Sequence, residues 1–301
     1  MDVVVIGTVV MDITAKPIAE QNTWKEKQRI GGIRLSTGGD AANQSIRLAD
    51  LGRSVSVAAC VGKDQAGLLA KAAMQERGVD ISRVTESADR ETGSSLILVR
   101  EDGERNIFSN NGAHGQVFRE DCAWIPEADP KAVSIASLFC VPYLEEDGLS
   151  ELLQECRRRG ILTFADLGSD KKHQGLEGIL PFLPYLDYFL PSEEDALSMT
   201  RTSTPEEAAE VYLNCGVSCV VIKCAARGAF YLTREESGWV PALPVVPVDT
   251  TGAGDCMAAH FIHGILSGLD LKEACRLACA AASLSTQQSG ASLTKLRLDD
   301  L

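Results

Sequence analysis

The chain has 301 residues, 45% of them apolar and 24% charged, which is enough to bury one large α/β core. Its formal net charge of −13 speaks against a nucleic-acid or anionic-membrane partner, so any phosphate it handles must be met locally by backbone amides, metal ions and a few basic side chains. The apolar runs are short and broken by Gly, Asp or Pro, which argues against a membrane-spanning helix. The start, Met1-Asp2-Val3-Val4-Val5-Ile6, reads as a buried strand rather than a signal segment, and a cytoplasmic protein is expected.

In chain order, strand-like segments fall at Val3–Ile6, Val55–Cys60, Ala132–Ala136, Ile161–Asp166, Tyr188–Leu190, Cys219–Lys223 and Phe230–Leu232. Between and after them, helical patterns run near Ala41–Asp50, Ala66–Glu76, Leu149–Arg159, Pro205–Leu213, Cys256–Ser267 and Leu271–Ser285. This alternation predicts a mostly parallel sheet covered on both faces by helices, in a single domain spanning 1–301. Two stretches break it. Residues 13–36 are polar, with Trp24 and a Gly31-Gly32 pair, and residues 92–112 read as a hairpin, Ser94–Arg100 and Arg105–Phe108 about an Asp102-Gly103 turn. Together they are expected to form a small β-sheet lid over a site. Ile97, Val99 and Ile107 are the candidates for an uncovered apolar face that a second copy would bury, giving a homodimer.

The ten cysteines are scattered through apolar stretches, and a chain of this length needs no disulfide staples. Cys215, Cys219 and Cys224 lack a fourth ligand nearby, and Cys275 and Cys279 share one helix face. Cys256, His260 and His263 form the best zinc candidate; buried thiols and core-edge histidines are the commoner outcome, and all are read as structural.

The richest segment is Pro247-Val248-Asp249-Thr250-Thr251-Gly252-Ala253-Gly254-Asp255, followed by an apolar helical run. Glycines ahead of a helix let successive N–H groups converge, and the helix N-terminus adds positive partial charge, which makes an anion site suited to phosphate. A carboxylate there would repel the anion unless Asp255 addresses a hydroxyl whose proton must leave as it attacks phosphorus. On the segment alone, a helix-capping role for Asp255 stands evenly beside that one. A second cluster, Ser36-Thr37-Gly38-Gly39-Asp40-Ala41-Ala42-Asn43, opens another helix, and Asp12 reads as the C-terminal end of the first strand, where open α/β sheets bind ligands. Asp12 and Asn43 suit a polyhydroxylated ligand, and Gly39 permits close approach; Asp40 reads as a cap or solvent-facing residue.

These two segments together resemble the signatures of the ribokinase-like, or PfkB, carbohydrate kinases. The similarity covers nearly the whole chain. It implies a ribokinase-like three-layer sandwich that transfers the γ-phosphoryl group of ATP, with Mg²⁺, to a hydroxyl of a sugar, sugar phosphate or nucleoside. Carried over by position, Asp255 is the base, the amides of Gly252, Ala253 and Gly254 form the anion hole, and Asp12, Gly39 and Asn43 hold the acceptor. The family's N-x-x-E motif stands here as Ser192-Glu193-Glu194-Asp195, with Ser192 on the nucleotide side and Asp195 tied indirectly to Mg²⁺. Lys223 and Gly228 match the nucleotide loop, with Lys223 in place of a common threonine and Ala225 in place of a common glycine. Lys223 could reach ATP phosphates or pair with a carboxylate, and Asp166 ends a strand facing the same cleft. Asp249 matches part of a monovalent-cation site, so K⁺ is a further candidate ion. Arg105 and Lys171-Lys172 are the obvious cations for an acceptor with its own phosphate. A non-catalytic sugar-binding regulator on the same fold is the competing reading, favoured by the altered Ser192–Asp195 motif and opposed by the intact Gly252–Asp255 segment.

Overall fold

The computed structural model describes residues 1–19, 27, 29–102 and 104–287; Trp24 and Gly103 lie outside them. Its strands are β1 (Val3–Ile6), β2 (Val10–Lys16), β3 (Gly32–Gly38), β4 (Val55–Gly62), β5 (Val84–Ser87), β6 (Ser94–Val99) and β7 (Arg105–Asn110). The second half adds β8 (Ala132–Leu138), β9 (Leu162–Leu167), β10 (Tyr188–Phe189), β11 (Cys219–Lys223), β12 (Ala229–Leu232) and β13 (Ser237–Val240). Nine of these form one sheet in the order β13-β12-β11-β10-β9-β8-β1-β4-β5. All neighbours from β11 to β5 pair in parallel, and β12 and β13 close the far edge antiparallel.

Alternation along β1 shows why the sheet is a middle layer. Val3 and Val5 enter one buried cluster with Ala41, Ala42, Met257, Ala258 and Phe261, while Val4 and Ile6 enter another with Leu149, Leu153, Ala208 and Tyr212. A strand buried on both faces needs apolar residues at every position, and β1 has them. The first face carries the helices Asp40–Asp50, Gln65–Glu76, Ala253–Leu266 and Leu271–Ser285; the second carries Leu149–Arg159 and Pro205–Asn214. Small residues let the first set pack closely: a side chain at Gly264 would stand 3.1 Å from Ala274.

The small sheet has the order β3-β2-β6-β7, with β2 parallel to β6 and the other two pairs antiparallel. It starts earlier than the sequence suggests, at Val10, so Asp12 belongs to this sheet and not to the end of the first strand. The apolar run Val3–Met11 hides the break, which occurs at Gly7. Its φ of 154° favours glycine, and a Cβ there would stand a tight 3.3 Å from the Ala41 and Ala136 side chains. Register also places the expected apolar face, of which Ile107 is exposed, on the Asp12 side. Asp12 pairs with Ser95, and Ile97 and Val99 follow at two-residue steps with Ile107 opposite Ile97, so all three share the face of Asp12. The opposite face carries the row Leu35–Ile13–Leu96–Phe108 and the neighbouring Ile33, of which Ile33, Leu35, Leu96 and Phe108 are exposed.

Candidate active site

Two helices that start at the same end of the sheet build the centre of the site. The Asp40–Asp50 helix begins at Gly39, whose φ is 90° and whose absent Cβ would lie 2.5 Å from the Thr8 carbonyl oxygen. Thr8, in the link between β1 and β2, caps this end: its hydroxyl accepts from Asp40 N–H at 3.1 Å and its carbonyl from Ala41 N–H at 3.1 Å. The Ala253–Leu266 helix begins at Gly252, left-handed at φ 74°. That conformation folds Ala253 N–H back onto Thr250 O at 3.2 Å. The Ala253 amide, expected among the donors of an anion hole, is therefore engaged inside the turn.

Packing of these helices joins residues 212 apart: Asn43 Nδ2 donates to Asp255 Oδ2 at 2.8 Å. Gln44 Nε2 stands 3.5 Å from Asp255 Oδ1, and its own Oε1 accepts from Ser134 Oγ at 2.9 Å. Asn43 Oδ1 is buried and has no hydrogen-bond partner among the described residues. Asp255 is 8% exposed. Burial, and then the neighbouring Asp40 carboxylate, push its pKa well above the ordinary carboxylate value, against the Asn43 hydrogen bond and the Lys223 charge.

Asp40 joins this buried cluster, against its expected place as a cap or solvent-facing residue. It makes no helix cap; its carboxylate accepts from Ser137 Oγ, and burial raises its pKa while Lys223 lowers it. The signal was present in the spacing, because Asp40, Asn43 and Gln44 lie three and four residues apart on one helix face. Asp12 projects from β2 across Gly38, where a Cβ would stand 2.2 Å from its Oδ2. Burial raises its pKa, the Asp40 charge raises it further, and a Ser95 hydrogen bond opposes both.

On the other side of Asp255, Lys223 at the end of β11 forms an ion pair with Asp166 at the end of β9, both largely buried. Burial still outweighs the lysine and lifts Asp166 to about 6. The Lys223 ammonium also lies 3.4 Å from where a side chain on Gly254 would begin, so it stands beside the Gly252–Gly254 turn while paired. Lys223 backbone bridges Ser192, and Lys223 N–H donates to Pro191 O at 2.9 Å. Ser192 caps the Glu193–Thr200 helix by accepting from Asp195 N–H at 3.1 Å, and its hydroxyl donates to Asp195 Oδ2 at 2.5 Å. Glu193 pairs with Arg227, and Glu194 is exposed. Gly228, at φ 98°, is fixed by packing, since a Cβ would stand 1.9 Å from Val240 O. Asp249 Oδ1 accepts from Thr251 N–H at 2.9 Å. Lys172 pairs with Glu146 and Lys171 with Asn111, whereas Arg105 reaches Thr251.

Among the described residues no group of three or more His, Cys, Asp or Glu side chains could hold a metal ion. His260 Nδ1 lies 2.8 Å from the Cys256 carbonyl and His263 Nδ1 accepts from Arg53, so this trio is structural, and all ten cysteines are free. No described helix is long and apolar enough to cross a membrane.

Residues 1–297 match the model of the pfkB family of carbohydrate kinases. The chain is 26% identical over 272 residues to a ribokinase of Haemophilus influenzae, covering 86% of this chain and 83% of that one. It is 24% identical over 298 residues to an ATP-dependent 6-phosphofructokinase of Thermoanaerobacterium thermosaccharolyticum, covering 96% and 89%. Its fold matches an E. coli protein assigned as ribokinase II, solved in complex with ATP and Mg²⁺, with a TM-score of 0.85, 25% identity and coverage of 99% and 97%. With a nine-stranded sheet, a four-stranded lid and a buried aspartate behind a glycine turn, the chain belongs to the pfkB family of carbohydrate kinases.

Proposed function

We propose that this kinase transfers the γ-phosphoryl group of ATP to a hydroxyl of a sugar or sugar-like substrate, with Asp255 as the general base. The observation that carries this reading is the Asp255 carboxylate, buried, hydrogen-bonded to Asn43 and held one turn above Gly252. An acceptor hydroxyl entering there donates to Asp255, while a second hydroxyl fills the buried, unpartnered Asn43 Oδ1. Asp12 takes a further hydroxyl from the lid side, and Gly39 keeps that wall free of side chains. As the hydroxyl oxygen bonds to phosphorus, its proton passes to Asp255, and ADP leaves with the electrons of the broken P–O bond. The amides of Gly252 and Gly254 and the Lys223 ammonium face the transferring group.

The nucleotide lies on the Lys223 side, against Ser192 and the turn shaped by Gly228. The exposed apolar residues Leu243, Val246 and Val248 lead into Asp249 and give a purine a dry wall. Asp195, with one oxygen already engaged by Ser192, fits a Mg²⁺ held mainly by phosphate oxygens and water. When bound, that ion neutralises charge on the phosphates. Asp249 is the candidate ligand for K⁺, which would share it with Arg105. The whole chain acts as one domain, closed by the lid.

A non-catalytic binder would have no use for a base behind a phosphate turn. The test is ATP consumption against ribose, fructose, their phosphates, nucleosides and sugar acids, run in K⁺ and in tetramethylammonium. Acceptor-dependent ADP release supports the reading, and none with any acceptor overturns it. Equal rates in both cations remove K⁺.

A further inference from the structure

Arg105 stands on β7 of the lid, yet its side chain reaches the turn ahead of the Ala253–Leu266 helix. Nη1 donates to Thr251 Oγ1 at 2.7 Å and lies 3.6 Å from Asp249 Oδ1. Because that same oxygen accepts from Thr251 N–H, one guanidinium grips both residues of the small ring that sets the chain's entry into Gly252. Arg105 is opposite Val99, on the lid face that also carries Asp12 and Ser95. One face of the lid therefore presents both an acceptor-side residue and the cation that meets the phosphoryl-side turn.

We propose that Arg105 is a positioning residue for phosphoryl transfer: it fastens the lowered lid to Asp249 and Thr251 and thereby sets the Gly252–Gly254 turn. This rests on the kinase reading above. The arginine and aspartate side chains are 42% and 24% exposed, so water screens the ion pair and leaves it weak enough for a lid that must open to admit the acceptor. Both contacts come from Nη1 at the tip of the guanidinium, one bond beyond the place a lysine ammonium would occupy, so lysine is too short to make both well. The link makes the turn's geometry depend on lid position, so productive alignment coincides with exclusion of water.

Arg105→Ala, Arg105→Lys, Thr251→Val and the Arg105→Ala/Thr251→Val double variant test this, with Arg100→Ala as control on the same hairpin, where Arg100 pairs with Asp102. Arg105→Ala should lower kcat about 10- to 100-fold, as loss of alignment does, with the KM for ATP little changed. Arg105→Lys should recover only part, and the double variant should be no worse than the poorer single one. Hydrogen exchange should quicken in Arg105→Ala both in β6–β7 and in residues 249–254, and in neither segment for Arg100→Ala. Unchanged kcat, additive losses, or faster exchange in the lid alone would overturn the proposal. Should the wild type phosphorylate no acceptor, the kinase reading fails, and the exchange measurement still decides whether the latch exists.

Discussion

Asp255 is held where a carboxylate is least comfortable, away from water and near the carboxylates of Asp40 and Asp166, with Lys223 as the opposing charge. Burial raises the folded-state pKa of Asp255, and lifts that of Asp166 to about 6, above the unfolded value near 3.9. The folded state then binds more protons across that window, so stability falls as pH rises through it. Asp255→Asn should flatten this dependence and, since the amide oxygen can still accept from Asn43, should gain about 1 kcal/mol at neutral pH. Thermal melts at several pH values check this, and a lower midpoint for the variant would contradict it. The same shift predicts an acid limb in kcat/KM well above the ordinary carboxylate range, belonging to the coupled cluster as a whole. Asp40→Asn should move that limb to lower pH by removing a neighbouring negative charge; an unmoved limb would separate Asp40 from Asp255. The sequence displayed Asp255 and Asn43 through their glycine neighbours, whereas Asp40 and Gln44 required reading one helix face as a ligand surface.

At the scale of elements, long segments with strong periodicity were legible. The Leu149–Arg159 and Leu271–Ser285 helices and β11 have the bounds the pattern implies. The Ala253–Leu266 helix starts three residues before its apolar run, because the glycine turn belongs to it. β5 and β13 were not legible: each has four residues and partly exposed side chains, too short and too polar to show a period. The nucleotide-side loop holds a testable irregularity. Ala225 has a φ of 48°, a left-handed conformation in which a Cβ costs roughly 1 kcal/mol. Ala225→Gly should therefore be neutral or stabilising by up to about 1 kcal/mol, despite the glycine's greater freedom when unfolded. Chemical denaturation measures it, and a clear loss of stability would mean that Ala225 packing outweighs its backbone strain.

At the scale of the molecule, alternation of strands and helices gave the layered fold, but the lid's faces depend on register, which turn signals alone did not determine. The exposed row of Ile33, Leu35, Leu96 and Phe108 lies opposite the face bearing Asp12 and is the surface we propose a second copy covers. Light scattering should give a dimer, and Leu35→Asp or Phe108→Asp should give monomers; a wild-type monomer at high concentration would remove the assembly. Phosphoryl transfer through Asp255 is the central step of the proposed function. Its most direct test is transfer of labelled γ-phosphate from ATP to an acceptor that the wild type uses, compared in Asp255→Asn with binding of both substrates measured alongside. Turnover should fall by about 10²–10⁴-fold with both substrates still bound. Near-normal turnover in that variant would contradict it.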